Sequence, residues 1–194
     1  MPEFIPVDPK GVPNGQTTFA PFIFGSRPEV WQTVFGPNID DTSSDPYTLS
    51  LLSTLLTFTN PQIVVEVGTY RGWGTATLAE TLRVYDLQGH VWSCDPVDHG
   101  VQQMLNQAEL STRVTLFTGT FEDMLTEAGG DKMDFCYIDG GSRLPYTKLA
   151  LQHMNPGGLI AVDDCAGDWR GAKMLRRMAN LYLPTHRGLV LITV

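Results

Sequence analysis

From residue 45 onward the chain alternates between two hydrophobic periods. Short apolar runs near 63–67, 91–94, 114–118, 134–138, 159–163 and 188–194 read as strands, and helical spacing separates most of them. Segment 47–59 has the apolar spacing of an amphipathic helix. Ser43, Ser44 and Asp45 stand before it as candidate caps. Runs that are apolar at nearly every position belong to strands buried on both faces. Their alternation with helices predicts an α/β fold, with a doubly wound, mostly parallel sheet and helices on both faces.

Residues 1–46 follow neither period. Eight of the thirteen prolines lie there, which prevents regular structure, yet Phe4, Phe19, Phe22, Phe24, Trp31 and Phe35 lie between them. Aromatic residues at that frequency are foreign to plain disorder. The segment reads either as an extended arm packed on the domain, over the site or across a homodimer interface, or as a partly ordered tail. The domain proper is 47–194, and no internal repeat is visible.

A length of 194 residues suits one domain with a substantial core. The formal charge of −8 argues against nucleic acid or an anionic membrane as partner, since both require basic patches. Arg170, Lys173, Arg176 and Arg177 cluster late in the chain, but at the spacing of a solvated helix face. The three cysteines, Cys94, Cys136 and Cys165, fall at or near expected strand ends. An odd number of buried thiols points to a reducing, cytoplasmic setting. No apolar run is long enough to cross a membrane, and no secretory signal pattern opens the chain.

The turn after the first strand carries the most chemical information. Its sequence over 66–75 is EVGTYRGWGT, a strand end, a glycine-rich turn and a helix start. Such a turn lets a nucleotide-like ligand lie against bare backbone at a helix N-terminus. Gly68, Gly72 and Gly74 read G-x-x-x-G-x-G, not the dinucleotide pattern G-x-G-x-x-G, and the lysine of a phosphate-binding P-loop is absent. The turn also begins with Glu66. A carboxylate there repels a pyrophosphate and suits an ammonium group, so the charge pattern favours S-adenosylmethionine (SAM), which carries an ammonium, a sulfonium and no phosphate.

This E-x-G-x-x-x-G turn resembles the first motif of class I SAM-dependent methyltransferases. The fuller string resembles the form found in catechol and caffeoyl-coenzyme A O-methyltransferases and their bacterial relatives. The resemblance spans roughly residues 45 to 180. It implies a Rossmann-like sheet of order 3-2-1-4-5, with the last strand at the edge beside strand 5. The family normally closes with an antiparallel hairpin; only 189–194 is obvious here, so a shortened end is expected. Gly68, Tyr70, Gly72, Gly74 and Thr75 would form the SAM turn, with Glu66 on the ammonium side. Asp95, in WSCDP, stands about twenty residues beyond the turn, where the family's acid holds the ribose; the alternative is a helix cap. Thr120, Phe121 and Glu122 occupy the adenine-contacting position, with Phe121 either covering the base or sitting in the core.

Two further acidic positions follow strands 4 and 5. Phe135 to Gly141 reads FCYIDGG, and an Asn155-Pro156-Gly157-Gly158 turn precedes a strand ending at Asp163-Asp164. Adjacent strands would gather Asp139, Asp163 and Asp164 at one sheet edge, an arrangement that is costly without a cation among them. Oxygen ligands suit Mg²⁺, Mn²⁺ or Ca²⁺ rather than zinc. The metal-dependent O-methyltransferases carry aspartates at these positions, so the resemblance implies a divalent cation; the alternative is a capping or solvated aspartate.

One departure stands out. The family places a general-base lysine three residues after the strand-4 aspartate, and here Ser142 stands there, followed by Arg143. Tyr146, Lys148 and His99 are nearby substitutes, with Tyr146 and His99 joining Asp139 as catalytic candidates, and Asp139 is also expected among the residues that contact SAM; His153 reads as a helix residue. Alternatively a metal alone activates the acceptor hydroxyl. The expected reaction is in-line transfer of the SAM methyl to the oxygen of a small acceptor: a catechol, a sugar or another vicinal diol. A SAM-binding protein without transferase activity and a nicotinamide oxidoreductase remain the rival readings.

Overall fold

The computed structural model describes residues 44–128, 130 and 132–194. Almost all of the proline-rich arm expected over 1–46 lies outside the described residues.

Helix α1 (Pro46–Thr59) begins where its local chemistry dictates. Asp45 is the N-cap, and its Oδ1 accepts from the Tyr47 and Thr48 amides at 2.9 and 3.0 Å. Pro46 follows at the first helical position, where its missing N–H costs nothing. Asn60 ends the helix in the left-handed region, with φ 46°. The helix was expected over 47–59 and is present with that C-terminal end.

Strands β1 (Ile63–Val67), β2 (His90–Asp95), β3 (Val114–Thr118), β4 (Met133–Ile138) and β5 (Met154–Val162) are parallel, and β6 (Leu181–Leu183) and β7 (Leu189–Thr193) close the sheet antiparallel. The order is β3-β2-β1-β4-β5-β7-β6. Helices α2 (Trp73–Val84), α3 (Val101–Gln107), α4 (Phe121–Glu127), α5 (Arg143–His153) and α6 (Arg170–Met178) fill the connections. This is the Rossmann-like doubly wound sheet that the apolar runs implied.

Successive strand residues feed two cores. Phe135, Tyr137, Leu159 and Ala161 join α1 and α2 on one face. Cys136, Ile138, Ile160 and Val162 join α4 and α5 on the other. Burial on both faces explains why these strands lack polar alternation.

Two local expectations are corrected. The end of the fold is not shortened: β6 pairs with β7, with Tyr182 opposite Val190, so β6 and not the last strand is the edge. Three residues cut off by Pro184 are too few to show a period. The Asn155-Pro156-Gly157-Gly158 turn lies inside β5, where the register with β4 shifts between Met133–Met154 and Phe135–Leu159. All three cysteines are buried and free, and none of the described helices is long and apolar enough to cross a membrane.

Candidate active site

The turns after β1 and β4 meet backbone to backbone. Gly68 has φ 106°, and a Cβ placed on it would lie 2.7 Å from the Gly140 amide nitrogen. The Gly68 and Thr69 amides both donate to the Cys94 carbonyl, at 2.9 and 3.2 Å, which ties the same turn to β2. The glycine-rich turn is thus fixed from both sides beyond the carboxyl ends of three strands, the position where open α/β sheets bind ligands.

Glu66 lies beneath this turn. Its carboxylate accepts from Ser93 Oγ at 2.5 Å and from Thr75 Oγ1. The Ser93 hydroxyl also meets Thr69 Oγ1 at 2.6 Å. Gly74 is required for clearance: a Cβ there would lie 2.1 Å from Glu66 Oε1. Thr75 therefore acts by holding Glu66. Burial pushes the Glu66 carboxyl up to about 8, against the two hydroxyl hydrogen bonds that favour its charge. A cavity of about 320 Å³ opens above it, bordered by Ser44, Glu66, Tyr70, Asp95 and Asp139.

Asp95 stands at the end of β2 and caps no helix; α3 has Gly100 at its N-cap. Its Oδ2 accepts from the Tyr70 amide at 3.0 Å and its Oδ1 from the Val97 amide at 3.0 Å. Those bonds aim the carboxylate between the β1 and β2 turns and leave each oxygen a free lone pair. Tyr70 holds this turn in the left-handed region, φ 41°, and packs edge-on against His99 with ring centroids 5.2 Å apart. His99 Nε2 lies 3.7 Å from Asp95 Oδ1.

A second, smaller cavity of about 80 Å³ shares Gly68, Asp95 and Gly140 with the first. Thr120, Phe121 and Tyr146 border it. Thr120 spends its hydroxyl on a capping box with Asp123, accepting from the Asp123 amide at 3.2 Å. Phe121 is core by burial and packs edge-on to Tyr146 at 5.7 Å, yet also borders the cavity. The core reading of Phe121 holds. Glu122 does not border either cavity.

Of the three catalytic candidates, only Asp139 borders the large cavity. Tyr146 borders the small one together with Gly140, the residue after Asp139, and His99 stands beside Asp95. Burial raises the Tyr146 hydroxyl above its ordinary value, which weakens it further as a base.

Asp139, Asp163 and Asp164 do converge, as the strand pairing required. Asp139 Oδ2 accepts from Ser44 Oγ at 2.6 Å; that hydroxyl lies 2.9 Å from Tyr137 OH, which donates to Asp163 Oδ2 at 3.4 Å. Asp139 Oδ1 and Asp163 Oδ1 are buried without a hydrogen-bond partner among the described residues. Two guanidiniums lie among the carboxylates. Arg187 bonds Asp164 through Nη2 at 2.6 Å and through Nε, and comes within 3.8 Å of both Asp139 and Asp163. Arg143 pairs with Asp164 and stands 3.6 Å from Asp139 Oδ1. Among the described residues no group of three or more His, Cys, Asp or Glu side chains is arranged to hold a metal ion.

The electrostatics follow the burial. Burial pushes Asp163 up to about 7, and the Asp139 charge adds to the effect. Burial also raises Asp139, against its hydrogen bond from Ser44 and the two guanidiniums. For Asp164 burial is outweighed by the Arg187 hydrogen bond and both arginine charges, which hold it below the usual carboxylate range. Ser44, Tyr137 and Arg187 were not anticipated as site residues. Arg143 was visible as the residue beside the missing lysine; Arg187 lies in a loop that only the antiparallel pairing of β7 with β5 brings here.

The chain matches a family model described as a methyltransferase domain over residues 65–165. The chain belongs to this methyltransferase family. The matched span runs from within β1 through the Asp163-Asp164 pair and so contains the glycine turn, Glu66, Asp95 and all three aspartates that follow β4 and β5. No curated protein is similar enough in sequence to count as a relative. Among solved structures, this methyltransferase-family chain is similar to an O-methyltransferase from Bacillus cereus in complex with SAH, at 20% identity and TM-score 0.68, covering 86% of this chain and 89% of that one. It is similar to TomG from Streptomyces achromogenes, an O-methyltransferase involved in tomaymycin synthesis solved with SAM, at 18% identity and TM-score 0.65, covering 84% and 86%. It is also similar to the SAH-bound methyltransferase PaMTH1 of Podospora anserina, at 15% identity and TM-score 0.70, covering 98% of each chain. At these identities the likeness is one of fold.

Proposed function

We propose that this chain is a SAM-dependent O-methyltransferase acting on a small hydroxylated molecule. The observation that carries the reading is the cavity bordered by Glu66, Asp95 and Asp139, whose three carboxylates outnumber its one cation, Arg71, beside the bare turn backbone. That lining suits an ammonium and a ribose and disfavours the pyrophosphate of a nicotinamide cofactor. The SAM or SAH held by the solved proteins of the same fold agrees with it.

Glu66 would face the amino acid end of SAM, and Asp95 the ribose hydroxyls, with its two amide bonds fixing its direction. The small cavity beside Phe121 would take the adenine edge. When bound, SAM supplies an electrophilic methyl whose transfer requires the acceptor oxygen in line with the carbon–sulfur bond. Asp139 borders the cavity, and its Oδ1 has no hydrogen-bond partner among the described residues although two guanidiniums stand 3.6 and 3.8 Å away, so this carboxylate would take the acceptor's proton. Burial raises its pKa above the ordinary carboxylate value, which makes it a stronger base than an exposed aspartate. Ser44 donates to the other oxygen and fixes the carboxylate's rotation.

Metal assistance, implied by the three aspartates, finds no support in their geometry, since two arginines stand among them. Calorimetry with SAM and with NAD tests the cofactor. SAM binding without NAD binding is expected; NAD binding in its place would turn the reading to an oxidoreductase. SAM binding with no methyl transfer to any phenol, diol or sugar would leave a SAM-binding protein.

A further inference from the structure

The geometry points to Arg143 and Arg187 standing permanently in the place of a divalent cation among Asp139, Asp163 and Asp164. The site then takes no divalent metal, and its acceptor is held without chelation.

Two guanidiniums bring the same positive charge as one divalent ion and cannot be deprotonated in a protein. Carboxylate lone pairs are also occupied. Both oxygens of Asp164 are engaged: Oδ1 by Arg187 Nε, and Oδ2 by Arg143 Nη2 and Arg187 Nη2. Arg187 also approaches Asp139 Oδ1 and Asp163 Oδ2 at 3.8 Å each, so one planar cation touches all three carboxylates. Arg143 reaches Asp139 Oδ1 at 3.6 Å. A Mg²⁺ ion requires oxygens at about 2.0–2.1 Å in near-octahedral array. The guanidinium nitrogens already lie between the oxygens that would have to supply that array.

Arg143 Nε donates to the Asp163 carbonyl at 2.9 Å and its Nη2 to the Asp139 carbonyl at 3.1 Å, clamping the ends of β5 and β4 together. These bonds hold the arginine in the site independently of the carboxylates, so an incoming ion would have to displace a side chain that the backbone also fixes. Both arginines are largely buried, with side-chain exposures of 17% and 19%.

The consequence concerns the acceptor, and this part rests on the proposed methyl transfer. A metal reads a vicinal diol by binding both oxygens. Without one, a single hydroxyl set beside Asp139 satisfies the site, and a second oxygen confers no advantage through chelation.

Mn²⁺ provides the test, because its binding is read by electron paramagnetic resonance and needs no acceptor. In the full chain, the free Mn²⁺ signal should stay undiminished as protein is added, and excess EDTA or Mg²⁺ should leave the melting temperature unchanged. Arg187→Gln, or Arg143→Gln if the first does not fold, should melt lower and should take up about one Mn²⁺ per chain with partial recovery of the melting temperature. Uptake of about one Mn²⁺ by the unsubstituted chain, lost in Asp163→Asn, would overturn the inference. So would folded variants that ignore Mn²⁺, since the arginines would then not stand in a cation's place. Failure of SAM to bind would count against the proposed function alone.

Discussion

Gly68 and Gly140 touch backbone to backbone, and a Cβ on Gly68 would sit 2.7 Å from the Gly140 nitrogen and 2.9 Å from its Cα. This contact joins the turn that would hold SAM to the strand end that carries Asp139. Backbone cannot move aside as a flexible side chain can, and φ 106° already disfavours any side chain at Gly68. Gly68→Ala should therefore cost more than the roughly 1 kcal/mol typical of single substitutions, and should impair both ligand binding and folding. Denaturant unfolding checks it; an unchanged midpoint would show that the two turns are not locked.

Asp95→Ala should weaken SAM binding by about 1–3 kcal/mol, the usual cost of leaving hydrogen-bonding groups unpaired. The change also frees the Tyr70 amide. His99→Ala, which removes a partner of Asp95 at 3.7 Å and the edge-on contact with Tyr70 but no hydrogen bond to the turn, should cost less. Calorimetry on both variants distinguishes them, and equal losses would place the ribose elsewhere.

Glu66 gives a pH dependence with a definite sign. Burial lifts its carboxyl from near 4.5 to about 8, so the folded state holds a proton that the unfolded chain has released. Its contribution to stability is complete below about 4.5 and is lost as pH rises toward 8, at about 1.4 kcal/mol per pH unit for a full proton. Glu66→Gln should flatten that part of the stability profile. If the SAM ammonium meets this carboxyl, binding near neutral pH should also release a proton, seen as a buffer-dependent heat. A heat independent of buffer would separate Glu66 from the ammonium.

What the sequence could express was local. Parallel strands β1 to β5 were legible because both faces are apolar, and α1 because Asp45 and Pro46 mark its start. Glu66, Asp95 and Asp139 were legible as acids that stand at or beside the carboxyl ends of β1, β2 and β4. Long-range placement was not. Tyr146 and His99 were offered as substitutes for the missing lysine from their places in the chain, which could not show that one borders the small cavity and the other stands beside Asp95. Three aspartates implied a cation, and the cation they meet is a pair of guanidiniums, one of which arrives from the β6–β7 loop. β6 itself was hidden by its length of three residues.

Methyl transfer from SAM labelled in its methyl group, offered to a panel of small phenols, diols and sugars, reads the proposed reaction itself. The full chain should label a hydroxyl oxygen, and Asp139→Asn should transfer about 100-fold more slowly or worse, the loss expected for a general base, while still binding SAM. Label transfer that is undiminished in Asp139→Asn, or no transfer by the unsubstituted chain to any hydroxyl while SAM binds, would contradict the account.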